Sequence, residues 1–181
     1  ISVLKDVFDE IATTESKPHL VAHNAGFEWQ LTKQNLDIEL DYLQDTALWS
    51  SYADEKEFKG LKKLSKVYLN YTQTSYNEVL NGHDNMSELT GEEVMSYGCD
   101  DSLCTGHLWH LFTTICEVEG TFDFVVDHEF PAMQEFYHGF SKGTRIDLPE
   151  LRSQQAIDAA TMEKSLARMK ELLGLHCSEE K

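Results

Sequence analysis

The sequence predicts an α/β fold, on three observations. His19-Leu20-Val21-Ala22 is a short, nearly continuous apolar run of the kind a buried parallel strand shows. A second apolar and aromatic run, Leu40 to Leu43, leads into a turn and then a helical pattern. Stretches with apolar residues three and four apart lie before, between and after these two runs, so helices alternate with strands. At 181 residues, 41% of them hydrophobic, the chain has material for one core, or for one domain plus part of another.

The elements follow in order. Ser2 caps a helix in which Val3, Leu4, Val7, Phe8 and Ile11 form one apolar stripe that should dock on the sheet. Thr13 to Pro18 is a polar loop, and the first strand follows it. Phe27 and Leu31, four apart, start a helix just past that strand's carboxyl end. Beyond the second strand come Gln44-Asp45-Thr46, then Leu48, Trp49 and Tyr52 at helical spacing. Leu61, Leu64, Tyr68 and Leu69 make another short helix, and Asn70 to Asn85 reads as a polar loop. Thr90-Gly91-Glu92-Glu93 fits a capping box for the longest helix, whose face runs through Val94, Tyr97, Asp101, Cys104, Leu108, Leu111, Phe112 and Ile115 to a stop at Gly120. Glu129 to Phe140 is a further helix. Asp147 caps the last one, with Pro149 in its first turn, Leu166, Met169 and Leu173 facing inward, and Gly174 as its stop.

Composition narrows the function. Fifteen basic residues against 32 acidic ones give a formal charge of −17, a field that repels phosphate backbones at long range and excludes passive coating of nucleic acid. Residues 1–120 hold 21 acids and 8 bases, and residues 121–181 hold 11 and 7, a shift that divides the chain into two pieces at about residue 120. The four cysteines, Cys99, Cys104, Cys116 and Cys177, include no C-x-x-C pair and read as reduced thiols. No apolar run is long enough for a membrane span, so the expectation is a soluble, cytoplasmic protein with no membrane partner.

Two constellations carry chemistry. Tyr97 and Asp101, spaced i, i+4, put a phenol and a carboxylate on one side of the long helix. His23-Asn24-x-x-Phe27-Glu28 ends the first strand and sets a carboxylate in a first helical turn, where ligands of open α/β sheets sit. Each alone is better read as an ordinary surface hydrogen bond or an Asx cap with a solvated Glu. Together, with Asp45-Thr46 between them, they resemble the DnaQ-like exonucleases of the DEDDy pattern, and more closely the 3′–5′ proofreading domain of family A DNA polymerases. The resemblance covers roughly residues 1–118. Glu129-Phe130-Pro131-Ala132-Met133 and the stretch from Gly143 to Leu151 are similar to the segment that leads from that domain into the polymerase thumb.

The resemblance implies an RNase H-like fold over 1–120, then a helical connector and the start of a thumb-like region over 121–181. It implies 3′–5′ hydrolysis of DNA at a single-stranded or frayed primer end, with two Mg²⁺ or Mn²⁺ ions and the remainder of a polymerase chain as partner, in a bacterial nucleoid or a virus-infected host cell. Asp101 would ligate metal, Glu28 would hold the second ion, Tyr97 would orient the attacking water, and Asn24 would contact the 3′-terminal nucleotide. Two departures accompany these matches. Glu28 stands where the family usually has Asp. The family's first motif, D-x-E on its first strand, is expected N-terminal to Ile1, so the first strands of the sheet are expected to be missing and its edge open. Asp37-Ile38-Glu39 has the letters but follows the second motif. With two of four carboxylates, metal binding is expected to be weak. A catalytically silent scaffold and an RNase D-like RNA exonuclease are the alternatives.

Other residues have plainer readings. His107-x-x-His110 has no Cys or His at ligand spacing and reads as helix surface. Trp29, Trp49 and Trp109 fit core packing better than base stacking. Lys56, Lys59, Lys62, Lys63 and Lys66 form the one basic cluster, a solvated helix face or a phosphate-guiding edge.

Overall fold

The computed structural model describes residues 2–14, 19–41, 43–55 and 59–174. Lys56, Tyr42, Cys177 and most of the Thr13 to Pro18 loop fall outside them. Two units form, Ile1–Ser141 and Lys142–Lys181.

The first unit is mostly helical around a small parallel sheet. After α1 (Ser2–Thr13) come β1 (Leu20–Ala22), α2 (Gly26–Leu36), β2 (Leu43–Asp45), α3 (Thr46–Ala53), α4 (Leu61–Tyr68), α5 (Tyr76–Leu80), α6 (Gly91–Glu119), α7 (Phe122–Phe124) and α8 (Phe130–Lys142). β1 and β2 pair in parallel with Leu20 opposite Leu43 and Ala22 opposite Asp45. The two carboxyl ends therefore lie side by side, and α2 and α3 both start there. Parallel pairing needs a crossover between the strands, which α2 supplies.

Two apolar clusters hold the unit. Trp49, Leu64, Leu108, Phe112, Cys116 and Val125 form one, which fastens α3 and α4 to the middle of α6. Trp49 stacks on Phe122 at 5.2 Å between centroids, and Tyr68 meets the edge of Phe112 at 5.1 Å. Fully burying rings of this size contributes roughly 2–3 kcal/mol each. The second cluster, Ala25, Trp29, Leu40, Leu43 and Tyr137, joins α2 and β2 to α8, with Phe8 of α1 packed against it. Gln44 ties the sheet to the first cluster, because its Oε1 accepts the indole N–H groups of Trp49 at 3.0 Å and Trp109 at 2.5 Å. Trp29 and Trp49 are buried and Trp109 is half-buried, as core packing requires.

Several expectations are corrected. The second strand is Leu43–Asp45, not Leu40–Leu43. Leu40 is buried in the approach to the strand, and its burial imitates a strand's apolar run. The expected loop 70–85 contains α5, whose Ser75 and Glu78 form a capping box that the sequence carries as S-x-x-E. The helix that Phe27 and Leu31 mark forms as α2 and docks through Trp29 and Leu36, with Phe27 60% exposed and Leu31 exposed too. The eighth helix is one of a helical run from Phe122 to Lys142 with a single wide turn at Val125–Glu129. Pro131 has no N–H, and in a regular helix its ring would crowd the carbonyl of Asp127, four residues earlier, which lies in that wide turn.

Ser2, expected as a cap, is itself the first residue of α1, while the cap expectations for the two long helices agree with the structure. Thr90 and Glu93 form a reciprocal capping box on α6, and Gly120 ends that helix at φ 73°. The second unit contains α9 (Leu148–Leu173), capped by Asp147 through the N–H of Glu150 and stopped by Gly174. No residue of α9 is buried, so Leu166, Met169 and Leu173 do not face inward as their spacing predicts. An amphipathic period shows which residues share a face, and it takes a packed neighbour to bury them. No helix among the described residues is long and apolar enough to cross a membrane.

Gly26 fixes how closely α2 approaches α8, since a Cβ there would lie 2.9 Å from Cε1 of Tyr137, whose ring is buried. Gly26→Ala should therefore lower stability by about 1–2 kcal/mol in urea unfolding, although Ala is the better helix former by roughly 0.5–1 kcal/mol. Equal or greater stability would mean that the Tyr137 ring gives way without cost.

Candidate functional site

The site grows out of the paired strand ends. The turn after Ala22 carries Asn24 at φ 63°, a left-handed conformation that Asn tolerates better than most residues. Asp45, at the end of β2 and only 7% exposed, holds that turn. Its Oδ1 accepts the N–H of Asn24 at 2.9 Å and that of Ala47 at 2.8 Å, and its Oδ2 accepts the N–H of Ala25 at 3.0 Å. One carboxylate thus caps α3 and pins the approach to α2. Thr46 continues the link, donating to the Ala22 carbonyl at 3.3 Å and lying 2.8 Å from Nδ1 of His23. His23 also hydrogen-bonds the backbone of Lys59. Burial lowers the His23 pKa, against the opposing pull of Asp45, so the ring is neutral at pH 7.

All four residues singled out in the sequence come together. Asn24, Glu28, Tyr97 and Asp101 line one cleft of about 850 Å³, with Val21, Ala22 and His23 at its strand end. Asn24 and Glu28 come from the β1–α2 connection, and Tyr97 and Asp101 from α6. Gly60, Leu61, Lys62 and Lys63 form the wall contributed by the start of α4. Tyr97 and Asp101 differ in how they are held. Asp101 accepts a hydrogen bond from Gln73 Nε2 at 2.6 Å and anchors Thr105 through its own carbonyl at 2.8 Å. Tyr97 carries the Lys62 ammonium over its ring, 4.1 Å from the centroid.

Glu28 is the least satisfied of the four. Its Oε2 is buried and has no hydrogen-bond partner. Desolvation raises its pKa above the usual carboxylate range, and the Asp45 charge adds to that effect against a hydrogen bond from Glu28's own backbone N–H. Tyr137, packed behind the site, is pushed up to about 12 by burial and by the nearby charges of Asp45 and Glu28.

The donor chemistry suits a hard cation in part. An orphaned Glu28 oxygen and the Asp101 carboxylate are ligands that Mg²⁺ and Mn²⁺ take. Among the described residues, however, no group of three His, Cys, Asp or Glu side chains could hold a metal ion. Asp37 and Glu39 are engaged elsewhere, both paired with Lys33 at 2.9 and 3.0 Å. His107 and His110 are exposed on α6.

Sequence reasoning passed over three residues of this neighbourhood. Asp45 was visible only as part of an Asp-Thr pair, without its three N–H partners. Gln73 lies in the stretch read as loop, 28 residues before its partner Asp101, and no local pattern marks it. Lys62 was one of five clustered lysines, and only folding separates it, with Lys63, from the exposed Lys66.

Comparison with known proteins gives one partial relationship. No family model matches the chain. Over 99 residues, 55% of this chain, it is 26% identical to DNA polymerase I of Borreliella burgdorferi, and the match spans 11% of that protein's length. The chain therefore contains a region distantly related to part of a DNA polymerase I.

The raised Glu28 pKa has a sign that can be tested. A carboxylate that is harder to ionise folded than unfolded binds more protons in the native state, so its contribution falls as pH rises above the ordinary carboxylate range. Glu28→Gln should then raise Tm relative to the parent at pH 7, with the difference shrinking toward pH 4. Thermal melts at both pH values check this, and a difference that does not depend on pH would contradict it.

Proposed function

We propose that this chain is the 3′–5′ exonuclease portion of a DNA polymerase I-like protein, hydrolysing the terminal phosphodiester at the 3′ end of a DNA strand. The observation that carries the reading is the convergence of Asn24, Glu28, Tyr97 and Asp101, from two distant parts of the sequence, on one cleft. The distant similarity to a DNA polymerase I supports it. Its expected setting is the cytoplasm.

In this reading the cleft receives the last nucleotide of a single-stranded or frayed end. Asn24, rigid on the turn that Asp45 holds, is placed to hydrogen-bond the terminal nucleotide. Tyr97 would offer a hydroxyl that orients water at the same wall. Asp101 is kept in position by Gln73 and Thr105. Mg²⁺ or Mn²⁺, held by Glu28 and Asp101, would supply a Lewis acid and a water of lowered pKa. Two carboxylates make a weak site for such ions, and this is the observation that favours the second reading, a scaffold that keeps the fold without the chemistry.

The test uses the natural full-length protein, with 5′-labelled single-stranded DNA and RNA of one sequence, Mn²⁺, and an EDTA control. DNA should shorten stepwise from the 3′ end. Asp101→Ala should slow shortening by about a hundredfold or more, and Tyr97→Phe by roughly ten- to a hundredfold, while primer extension by the same samples is unchanged. Faster trimming of RNA would point to the RNase D-like reading, and trimming that survives Asp101→Ala would overturn the assignment of the site.

A further inference from the structure

The cleft poses an electrostatic difficulty. The chain's formal charge is −17, and Glu28 and Asp101 add two acids to the cleft itself. A phosphate backbone is repelled by such a surface unless a cation is fixed where the strand lies. Among the described residues lining the cleft, Lys62 and Lys63 supply the only formal positive charges, since His23 is neutral at pH 7.

Lys62 is held as a phosphate-binding group needs to be. Its ammonium has three hydrogens. One is donated to the Thr74 carbonyl, and the cation sits 4.1 Å from the centre of the Tyr97 ring. Both contacts restrict a side chain that is otherwise among the most mobile, which cuts the entropy lost on binding. Neither contact neutralises the charge. Among the described residues no carboxylate forms an ion pair with Lys62, and the Glu78 carboxylate it influences is already engaged by the Ser75 N–H at 2.7 Å. A charged hydrogen donor thus remains at the wall of the cleft, beside Tyr97.

On this geometry, and resting on the exonuclease reading above, we propose that Lys62 binds a backbone phosphate of the single strand that enters the cleft, with the Tyr97 ring as its seat. Lys62 is then a positioning residue. It supplies the local positive charge that offsets the long-range repulsion of the protein, and it couples the strand to Tyr97.

The test measures binding without catalysis, so that its outcome is separate from that of the trimming assay. The 181-residue chain, its Lys62→Gln and Lys62→Arg forms, and Lys5→Gln as a control for charge outside the cleft are titrated with 5′-fluorescein oligo-dT in EDTA at several salt concentrations. Circular dichroism confirms that each form is folded. Lys62→Gln should weaken binding roughly three- to tenfold and reduce the slope of log K against log salt by about 0.7, the value for one lost phosphate contact on a single strand. Lys62→Arg should retain the parent slope, and Lys5→Gln should leave it unchanged. Equal slopes for the Lys62→Gln and Lys5→Gln forms would overturn the proposal, as would absence of binding by the parent chain. A Lys62-dependent slope in a protein that trims nothing would uphold the phosphate site and count against the exonuclease chemistry alone.

Discussion

The buried carboxylate of Asp45 is the constraint on which the rest of the molecule depends. Its two oxygens accept three backbone N–H groups, from Asn24, Ala25 and Ala47, at the point where two parallel strands end and two helices begin. Without it, the left-handed turn at Asn24 and the start of α3 would leave buried donors unsatisfied, each at a cost of about 1–3 kcal/mol. The turn in turn sets the direction of α2 and hence where Glu28 stands. Gly26 and Tyr137 complete the arrangement from the other side by letting α2 and α8 approach closely.

The long helix supplies the opposing wall. Leu108, Phe112 and Cys116 bury its central and later turns against α3 and α4, which leaves Tyr97 and Asp101 in its early turns at the cleft. Core packing and cleft lining thus occupy different turns of one element. The cost is concentrated in Glu28, whose half-buried carboxylate has an oxygen with no partner. A carboxylate left unsatisfied by its own fold is one that a ligand carrying the missing interaction would suit.

Much of this was legible in the sequence, for reasons that differ by residue. The four cleft residues could be picked out because two local pairs, Asn24 with Glu28 and Tyr97 with Asp101, together resemble one family's ordered motifs, whereas each pair alone is an ordinary pattern; the α6 caps Thr90, Glu93 and Gly120 are local signals. The α6 core face was visible for the same reason. What was not legible depended on distance or on a neighbour. Asp45 bonds across 20 and 21 residues and Gln73 across 28, and neither partnership leaves a pattern in the letters. Leu40 imitated a strand because burial in a loop and burial in a strand use the same residues. The α9 residues Leu166, Met169 and Leu173 have helical spacing without burial, so periodicity overstated packing there. Among the described residues the sheet has two strands of three residues, the number the sequence marks.

The central claim is that Asn24, Glu28, Tyr97 and Asp101 act as one site for a cation-assisted reaction. Paramagnetic broadening tests it most directly, with the ¹⁵N-labelled chain titrated by Mn²⁺ and the loss of each amide signal followed. The account predicts that signals around Glu28 and Asp101 fade first and together, and that Asp101→Ala delays both. Broadening that begins at other acidic positions, such as Glu117 and Glu119 near the end of α6, and leaves the cleft untouched would contradict it.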